Sequence, residues 1–235
     1  MRKPVALCKP LAAAALASAL CLGLLALAGC AANAGSNASS SSSASSAESA
    51  VAPDQDLLSG THHAVIEVEG YDPINVTLDA DEAPITVTNF ANLADDGYYN
   101  GLTFYRIEDG FCLQGGTVGN SPSGSDPLLQ PIKGEFSGNG VSNALADDFG
   151  VGTIAMARTS DPDSATSTFF ITLGDNASVG KALDGQYAAF GTIDAAGMQT
   201  VNVIVSDYKA KATGQMGTIA SEADQPKIAS IYLVD

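Results

Sequence analysis

The chain has 235 residues, of which 46% are hydrophobic, and it carries a formal net charge of −16 at pH 7. This excess of carboxylates argues against nucleic acid as a partner, because Lys and Arg contacts to phosphates supply most of that affinity. The length predicts one domain, residues 61–235, large enough to bury a core without disulfides or a structural metal. Of the four cysteines, Cys112 alone belongs to this domain, so no disulfide is predicted.

Residues 1–29 have the layout of a secretory signal peptide, with basic residues followed by an Ala- and Leu-rich run over 11–28. The run ends in the sequence LAGC at residues 27–30, which resembles the lipobox of bacterial lipoproteins. That resemblance implies a lipid on Cys30 and an extracytoplasmic protein anchored to the bacterial cell membrane. An ordinary cleaved signal and a retained transmembrane helix are the alternatives, since the run approaches the ~20 residues needed to span a bilayer.

Residues 30–60 are rich in Ser, Ala, Gly and Asn and show no apolar periodicity. Such a segment buries too little hydrophobic surface to offset the entropy cost of ordering it. We therefore predict a flexible tether with an end-to-end span on the order of 30 Å. An O-glycosylated stalk is an alternative.

From Ala64 onwards the sequence alternates apolar and polar residues on both sides of Tyr71-Asp72-Pro73, which predicts two antiparallel strands around a turn. A helix is predicted from Pro84 to just before Gly97, with apolar residues at helical spacing. A second helix is predicted around Met198, Val201 and Val205.

Short apolar runs separated by Gly, Asp, Asn and Pro predict the remaining strands. These runs are LTFYRI, CLQGG, GTIAMA, TFFITL, YAAFGTI and KIASIYLV. Many short strands with two helices predict a mostly β fold, a closed antiparallel β-barrel capped by two α-helices.

Four segments of the chain, in this order, resemble the cyclophilin family of peptidyl-prolyl cis/trans isomerases: TFYRIEDGFCLQGG, IKGEFSGNGVSNALADDFGVGTIAMAR, STFFITL and LDGQYAAFG. The resemblance covers residues 64–235 and implies a cyclophilin-like barrel. It also implies an enzyme that accelerates rotation about X-Pro peptide bonds without a cofactor. Its partners would be proline-containing peptides and exported client proteins, and we expect a monomer. No metal site is expected, because His62 and His63 have no cluster of ligands at suitable spacing.

Rotation about an X-Pro bond crosses a barrier of ~18–20 kcal/mol, at which amide resonance is lost and the prolyl nitrogen regains a lone pair. A fixed hydrogen-bond donor near that nitrogen stabilises the transition state more than either ground state. The resemblance assigns this donor to Arg106, the orientation of its guanidinium to Gln114, and a supporting catalytic place to Phe111. A turn at Glu108-Asp109-Gly110 would bring Arg106 and Gln114 to one face of a hairpin.

The resemblance also implies a substrate groove with an apolar slot for the proline ring. Alternation along a strand predicts that Phe169 and Phe170 point to opposite faces, so that one fills the barrel and the other lines the groove. By resemblance Phe170 lines the groove. Most of the residues assigned to the groove would otherwise be read as core, and Cys112 is equally well read as an inert buried thiol. The assigned substrate-binding residues are Cys112, Met156, Ala157, Arg158, Thr168, Phe170, Leu183 and Tyr187.

Besides Arg158, which replaces a common asparagine among the substrate-binding residues, three positions at the far wall of the groove depart from the family pattern. Tyr187 stands where histidine is common, Ala182 where tryptophan is common and Thr168 where glutamine is usual. None of these changes removes the donor. They leave open a second function, a catalytically weak module or chaperone that binds proline-containing peptides.

Overall fold

The structure is a computed structural model that describes residues 56–174 and 179–235. The predicted signal peptide at 1–29, the predicted lipidation site Cys30 and most of the predicted tether 30–60 lie outside the described residues. Within the two described ranges, no helix combines the length and the apolar character that crossing a membrane requires.

Eight strands form a single sheet, and each of them falls on a run that the sequence predicts as a strand. They are β1 Thr61–Val68, β2 Ile74–Asp79, β3 Phe104–Glu108, β4 Cys112–Gly115, β5 Thr153–Met156, β6 Phe169–Thr172, β7 Ala189–Ile193 and β8 Ile228–Leu233. Their order across the sheet is β3-β4-β6-β5-β7-β2-β1-β8. Every neighbouring pair is antiparallel, including the predicted β1–β2 pair around the turn at Tyr71.

The sheet curls so that its two outer strands, β3 and β8, approach each other. An isolated antiparallel bridge joins Thr103 to Lys227, and the amide of Phe104 donates to the carbonyl of Pro226 at 2.9 Å. These contacts lie at the start of β3 and just before β8, and no continuous ladder joins the two strands within the described residues. The fold is therefore a curled antiparallel sheet, and the closure of the predicted barrel is not confirmed.

Two long helices, α1 Pro84–Asp95 and α3 Ala195–Tyr208, match the two predicted helices. Helix α1 has proline in its first turn, where the missing N–H is not needed. Helix α3 is capped by Asp194, whose carboxylate accepts a hydrogen bond from the amide of Gly197 at 2.6 Å. Helix α1 packs against β8 and α3 against β2. A further short helix, α2 Lys181–Leu183, was not predicted, because three residues are too few to show a helical period.

A buried carboxylate holds the start of α1. Ala83, at the N-cap position, offers no side-chain acceptor. Glu135, which is 2% exposed, accepts from the amides of Ile85 at 3.0 Å and Thr86 at 2.8 Å, and from the Thr86 hydroxyl at 2.7 Å. A negative charge is favourable at this end of a helix because the first amides point outwards without intrahelical partners. Glu135 therefore ties helix α1 to the segment that holds Phe136, whose ring packs against Arg158 of the groove.

Apolar side chains pack in two clusters, one on each face of the strands β4, β5 and β6. The inner cluster includes Phe90, Phe104 and Phe169 and is the main core. The outer cluster includes Phe149 and Phe170, whose rings stack with centroids 6.3 Å apart. The prediction that Phe169 and Phe170 face opposite sides is confirmed, and the outer cluster forms the floor of the groove.

Candidate active site

The hairpin of β3 and β4 brings Arg106 and Gln114 directly opposite each other, as the sequence predicts. Nη1 of Arg106 donates to Oε1 of Gln114 at 2.9 Å. The tight turn between the strands passes through Gly110, whose φ of +75° suits glycine. The two residues of the predicted donor pair are therefore in contact.

A β-bulge in β3 determines which side chains reach the groove. The register shifts between Phe104 and Arg106. Phe104 and Ile107 both belong to the inner core although they are three residues apart, where simple alternation would put them on opposite faces. The bulge absorbs the extra residue, so that Tyr105 and Arg106 both extend to the groove side.

Three hydrogen bonds from three different segments hold the guanidinium of Arg106. Besides Gln114, its Nε donates to the carbonyl of Met216 at 2.8 Å and its Nη2 pairs with Oε2 of Glu108. The guanidinium carbon lies 5.3 Å from the centroid of the Phe111 ring, and the side chain is 15% exposed. An arginine carries five N–H donors, so two remain for a substrate. The clamp fixes the orientation of the donor without using all its hydrogen-bonding capacity.

The Met216 carbonyl reaches Arg106 because the loop around it adopts left-handed backbone conformations, with φ of 55° at Met216 and 77° at Gly217. A Cβ on Gly217 would lie 2.3 Å from the carbonyl oxygen of Ile107, so that position requires glycine. Thr218 forms an isolated antiparallel β-bridge with Arg106. The carbonyl of Thr218 also accepts a hydrogen bond from the amide of Gly214 at 2.9 Å. The loop is thus tied to β3 beside the guanidinium. The sequence did not indicate the contact of Met216, and it placed Glu108 in the turn, whereas Glu108 is the last residue of β3 and pairs with Arg106.

Tyr105 adds a further hydrogen bond to the pair formed by Arg106 and Gln114. Its hydroxyl accepts from Nε2 of Gln114 at 2.8 Å, which fixes the Gln114 amide with its oxygen towards Arg106. Burial raises the pKa of Tyr105, so the hydroxyl stays protonated at neutral pH. A tyrosine in an apolar run is ordinarily read as core, which is why the sequence did not single it out.

A cavity of about 250 Å³ opens beside Arg106. Apart from Pro122 and Met216, every residue that lines it is one that the sequence assigned to the site. The lining consists of Arg106, Phe111, Cys112, Gln114, Pro122, Ala157, Arg158, Phe170, Leu183, Tyr187 and Met216. The rings of Phe111 and Phe170 with Leu183 give it an apolar part, and Arg106 and Gln114 give it a polar edge. Such a slot accommodates a small apolar ring beside a fixed donor.

The structure places Met156 in the inner core and Thr168 outside the cavity lining. Met156 pairs with Phe169, is 1% exposed and packs in the inner core. Alternation along β5 gives the groove side to its neighbour Ala155, which pairs with Phe170. Thr168 precedes β6, and its carbonyl accepts from the amide of Ala157 at 2.9 Å. Thr168 therefore supports the wall through its backbone and does not line the cavity.

Arg158 and Tyr187 form the wall of the cavity opposite Arg106. The guanidinium carbon of Arg158 lies 4.8 Å from the ring centroid of Tyr187 and 5.3 Å from that of Phe136. Its Nε donates to the carbonyl of Gln186 at 2.8 Å. Tyr187 meets Phe170 edge-on, with centroids 5.5 Å apart. This stack closes the groove at the positions where the sequence departs from the family pattern.

Cys112 lies fully buried at the cavity wall. Burial raises the pKa of its thiol to about 12, although the nearby Arg106 opposes that shift. The thiol is therefore protonated and is a poor nucleophile at physiological pH. It contributes volume and apolar surface to the wall.

Within the part of the chain that the structure describes, no three His, Cys, Asp or Glu side chains cluster closely enough to hold a metal ion. The two histidines lie on β1, remote in sequence from the groove residues. Nδ1 of His63 lies 2.8 Å from Oδ2 of Asp235, and the hydrogen bond from His63 lowers the pKa of that carboxyl. This pairing ties β1 to the residues that follow β8.

Residues 63–229 match the family model described as cyclophilin type peptidyl-prolyl cis-trans isomerase. A peptidyl-prolyl cis-trans isomerase A of Dickeya dadantii is 41% identical over 121 residues, 51% of this chain and 60% of that protein. A peptidyl-prolyl cis-trans isomerase B of Escherichia coli is 37% identical over 162 residues, 67% of this chain and 85% of that protein. This chain belongs to the cyclophilin-type peptidyl-prolyl cis-trans isomerase family.

A solved structure supports the fold. It is a cyclophilin-type isomerase of Cryptosporidium parvum crystallised in the presence of the dipeptide Ala-Pro, and it superposes with a TM-score of 0.60 at 23% identity. The superposition covers 74% of this chain and 99% of the other. It shows that the curled sheet with its helices is the cyclophilin fold.

Proposed function

We propose that this protein accelerates cis/trans rotation about X-Pro peptide bonds, with Arg106 as the hydrogen-bond donor to the prolyl nitrogen. The observation that carries the proposal is the clamped guanidinium, which keeps two N–H groups for a substrate at the edge of an apolar cavity. Family membership and the names of the relatives support it, as does the Ala-Pro dipeptide present with the Cryptosporidium protein.

In this mechanism the proline ring enters the apolar part of the cavity, between Phe111 and Phe170 and beside Leu183. The ring is held while the carbonyl of the preceding residue turns about the C–N bond, and no covalent bond forms or breaks. As the nitrogen becomes pyramidal, its lone pair accepts a hydrogen bond from Arg106. Because the planar amide nitrogen offers no such acceptor, the interaction lowers the barrier selectively, by a factor of ten for every 1.36 kcal/mol.

NMR exchange spectroscopy on an Ala-Pro-containing peptide tests this proposal against the binding-module alternative. An isomerase raises the exchange rate between cis and trans resonances at substoichiometric concentrations of protein. A catalytically weak binding module shifts and broadens the peptide resonances but leaves the exchange rate at its value in buffer. The second result would reject the enzyme and favour the module.

We propose that the chain is exported and that Cys30 carries the lipid anchor, so that the domain acts as a monomer on exported proteins outside the cytoplasm. The sequence LAGC and the signal-like run before it support this placement. Expression in a bacterial host followed by mass spectrometry of the N-terminal peptide tests it. We expect a diacylglyceryl mass on Cys30 and release of the Cys30→Ser variant from the membrane fraction. An unmodified Cys30 in membrane-bound protein would contradict it.

We also propose that the curled sheet closes into a barrel in solution. The amides of Phe104 and Ile228 donate across the gap between the outer strands, to Pro226 at 2.9 Å and to Leu102 at 2.8 Å. In a closed barrel these two amides exchange with deuterium as slowly as the amides inside the β1–β2 ladder. Exchange as fast as that of an exposed loop would show an open sheet.

A further inference from the structure

The groove holds a second guanidinium, that of Arg158, which forms no ion pair with any residue that the structure describes. The described residues contain seven Lys and Arg side chains, and five of them pair with Asp or Glu: Arg106, Lys133, Lys209, Lys211 and Lys227. Among the described residues, Arg158 and Lys181 form no ion pair. Of these two, Arg158 lines the cavity. The chain has 26 Asp and Glu residues but only 10 Lys and Arg residues, so most cations have a carboxylate partner within reach. Arg158 in the groove is an exception to that pairing among the described residues.

The contacts of Arg158 fix its position and leave its charge available. Its Nε donates to the carbonyl of Gln186 and its Nη1 to the carbonyl of Thr159 at 2.9 Å. The guanidinium carbon lies within 5.3 Å of the Phe136 and Tyr187 ring centroids, a geometry that favours a flat cation. Nη2 has no hydrogen-bond partner among the described residues. Two neutral carbonyls and two rings hold the side chain without cancelling its positive charge.

Arg106 differs in this respect, because its charge is paired with Glu108. A substrate carboxylate next to Arg106 would therefore meet a carboxylate as well as a guanidinium. At Arg158 it would meet a cation alone, with the terminal nitrogen free to donate a charge-assisted hydrogen bond. The Arg158 end of the groove therefore attracts a negatively charged substrate group more strongly than the Arg106 end does.

The register of the sheet sets the distance between the two ends. Arg106, Gln114, Phe170 and Ala155 are successive partners across β3, β4, β6 and β5. Neighbouring strands lie about 4.8 Å apart, so Arg106 and Ala155 are separated by roughly 14 Å along the sheet, and Arg158 follows just after β5. An extended peptide rises about 3.3 Å per residue, so the backbone spans this distance in about four residues. Because the side chains of Arg158 and of a substrate Glu both extend into the groove, an acidic residue about three residues from the proline comes within reach of Arg158.

We infer that Arg158 is a specificity-determining residue that favours X-Pro substrates with an acidic side chain within three residues of the proline. This inference rests on the proposed isomerase function and names a preferred substrate class for the same groove. A partly exposed ion pair of this kind changes kcat/KM by about fivefold, and salt weakens the preference because the charges are screened.

The test measures kcat/KM by NMR exchange for a neutral Ala-Pro peptide and for six peptide variants. Each variant carries a single Glu at one of the three positions before or after the proline. For the wild-type protein we expect at least one Glu variant to exceed the neutral peptide by about fivefold. In Arg158→Gln that ratio falls to about one, while Arg158→Lys keeps part of it because the charge remains. Lys181→Gln removes a positive charge outside the cavity lining, one that likewise forms no ion pair with a described residue, and leaves the ratio unchanged.

Using the ratio of acidic to neutral peptide separates charge recognition from support of the wall, because a loosened Tyr187 affects both peptides alike. A ratio of about one at all six positions in the wild type, or a ratio that Arg158→Gln does not change, would overturn the inference. Those results leave the isomerase intact as long as the neutral peptide is turned over. If no peptide is turned over faster than in buffer, the proposed function itself fails.

Discussion

At the scale of a single residue, Tyr105 orients the donor of the groove without touching the substrate, because its hydroxyl holds Gln114 and Gln114 holds Arg106. Its hydroxyl holds Nε2 of Gln114, and Oε1 of the same amide holds Arg106. Without the hydroxyl, the amide of Gln114 can turn, and Arg106 loses a fixed acceptor. Tyr105 is thus a positioning residue, since it acts on the donor through another side chain.

We predict that Tyr105→Phe lowers kcat/KM for an X-Pro peptide by about fivefold, the effect of one neutral hydrogen bond of about 1 kcal/mol. The matched control is Tyr232→Phe, which removes a hydroxyl that donates to Glu67 on the opposite side of the sheet order. NMR exchange at several peptide concentrations should place the loss in kcat, with KM retained. An equal loss in the Tyr232→Phe protein would show that a tyrosine hydroxyl anywhere has this effect.

Cys112 allows a prediction about pH. With a pKa of about 12 against an ordinary 9.0, the thiolate fraction at pH 8 is about a thousandfold lower than that of an exposed cysteine. Alkylation of Cys112 in the native protein should be slower by that factor and should rise tenfold per pH unit up to about pH 12. Peptide mapping after iodoacetamide treatment measures it, with protein in urea as the control. Rapid stoichiometric labelling at pH 8 would contradict the buried, protonated thiol.

The site residues that belong to one contiguous motif could be predicted from the sequence. Those that reach the site from a distant part of the chain could not. Arg106, Phe111 and Gln114 belong to one contiguous segment, so the sequence could place them together. Met216 is more than a hundred residues away and reaches Arg106 through a backbone carbonyl, to which any residue type could contribute. The face on which Met156 lies could not be predicted from the sequence, because that requires the phase of β5, and a four-residue strand buried on both faces shows no alternation.

At the scale of elements, the connection between Glu135 and α1 links the groove to the helix. The buried carboxylate satisfies two amides and a hydroxyl at the helix N-terminus. We predict that Glu135→Gln lowers the free energy of unfolding by about 2 kcal/mol, because an amide has no charge and only one acceptor oxygen for these donors.

Urea denaturation measures this change. The control is Glu67→Gln, at a partly exposed carboxylate that accepts from the hydroxyls of Ser230 and Tyr232, and it should alter the free energy of unfolding by no more than about 0.5 kcal/mol. If both substitutions cost the same, the loss would reflect the removal of any carboxylate rather than the helix contact.

The strand bulge and the loop at residues 214–218 are elements that the sequence did not reveal. Hydrophobic alternation predicts that β3 exists, but a bulge changes its phase by one residue inside a five-residue strand. The loop needs left-handed backbone at Met216, which no side-chain pattern encodes. Both features depend on contacts between β3 and residues far along the chain, and tertiary contacts of this kind are absent from local sequence patterns.

At the scale of the whole molecule, the eight strands and two long helices followed from hydrophobic periodicity and turn residues. The closure of the barrel did not, because it depends on how far the sheet twists and on a few contacts between its outer strands, such as the bridge between Thr103 and Lys227. The net charge of −16 is a separate property of the whole chain, whereas the groove is lined by two guanidinium groups. The inferred preference for acidic substrates should weaken with added salt, because ions screen the charges.

The central claim is that the clamped guanidinium of Arg106 lowers the barrier to rotation. We predict that Arg106→Ala lowers kcat/KM for an Ala-Pro peptide by about 100-fold, the usual effect of removing a donor that acts in the transition state. Arg106→Lys should recover only part of that loss, because one ammonium cannot keep the clamp contacts and also reach the substrate. NMR exchange measures the rate and peptide titration the binding. A large loss in exchange rate with nearly unchanged binding would support the account, whereas exchange catalysed by Arg106→Ala at the wild-type rate would contradict it.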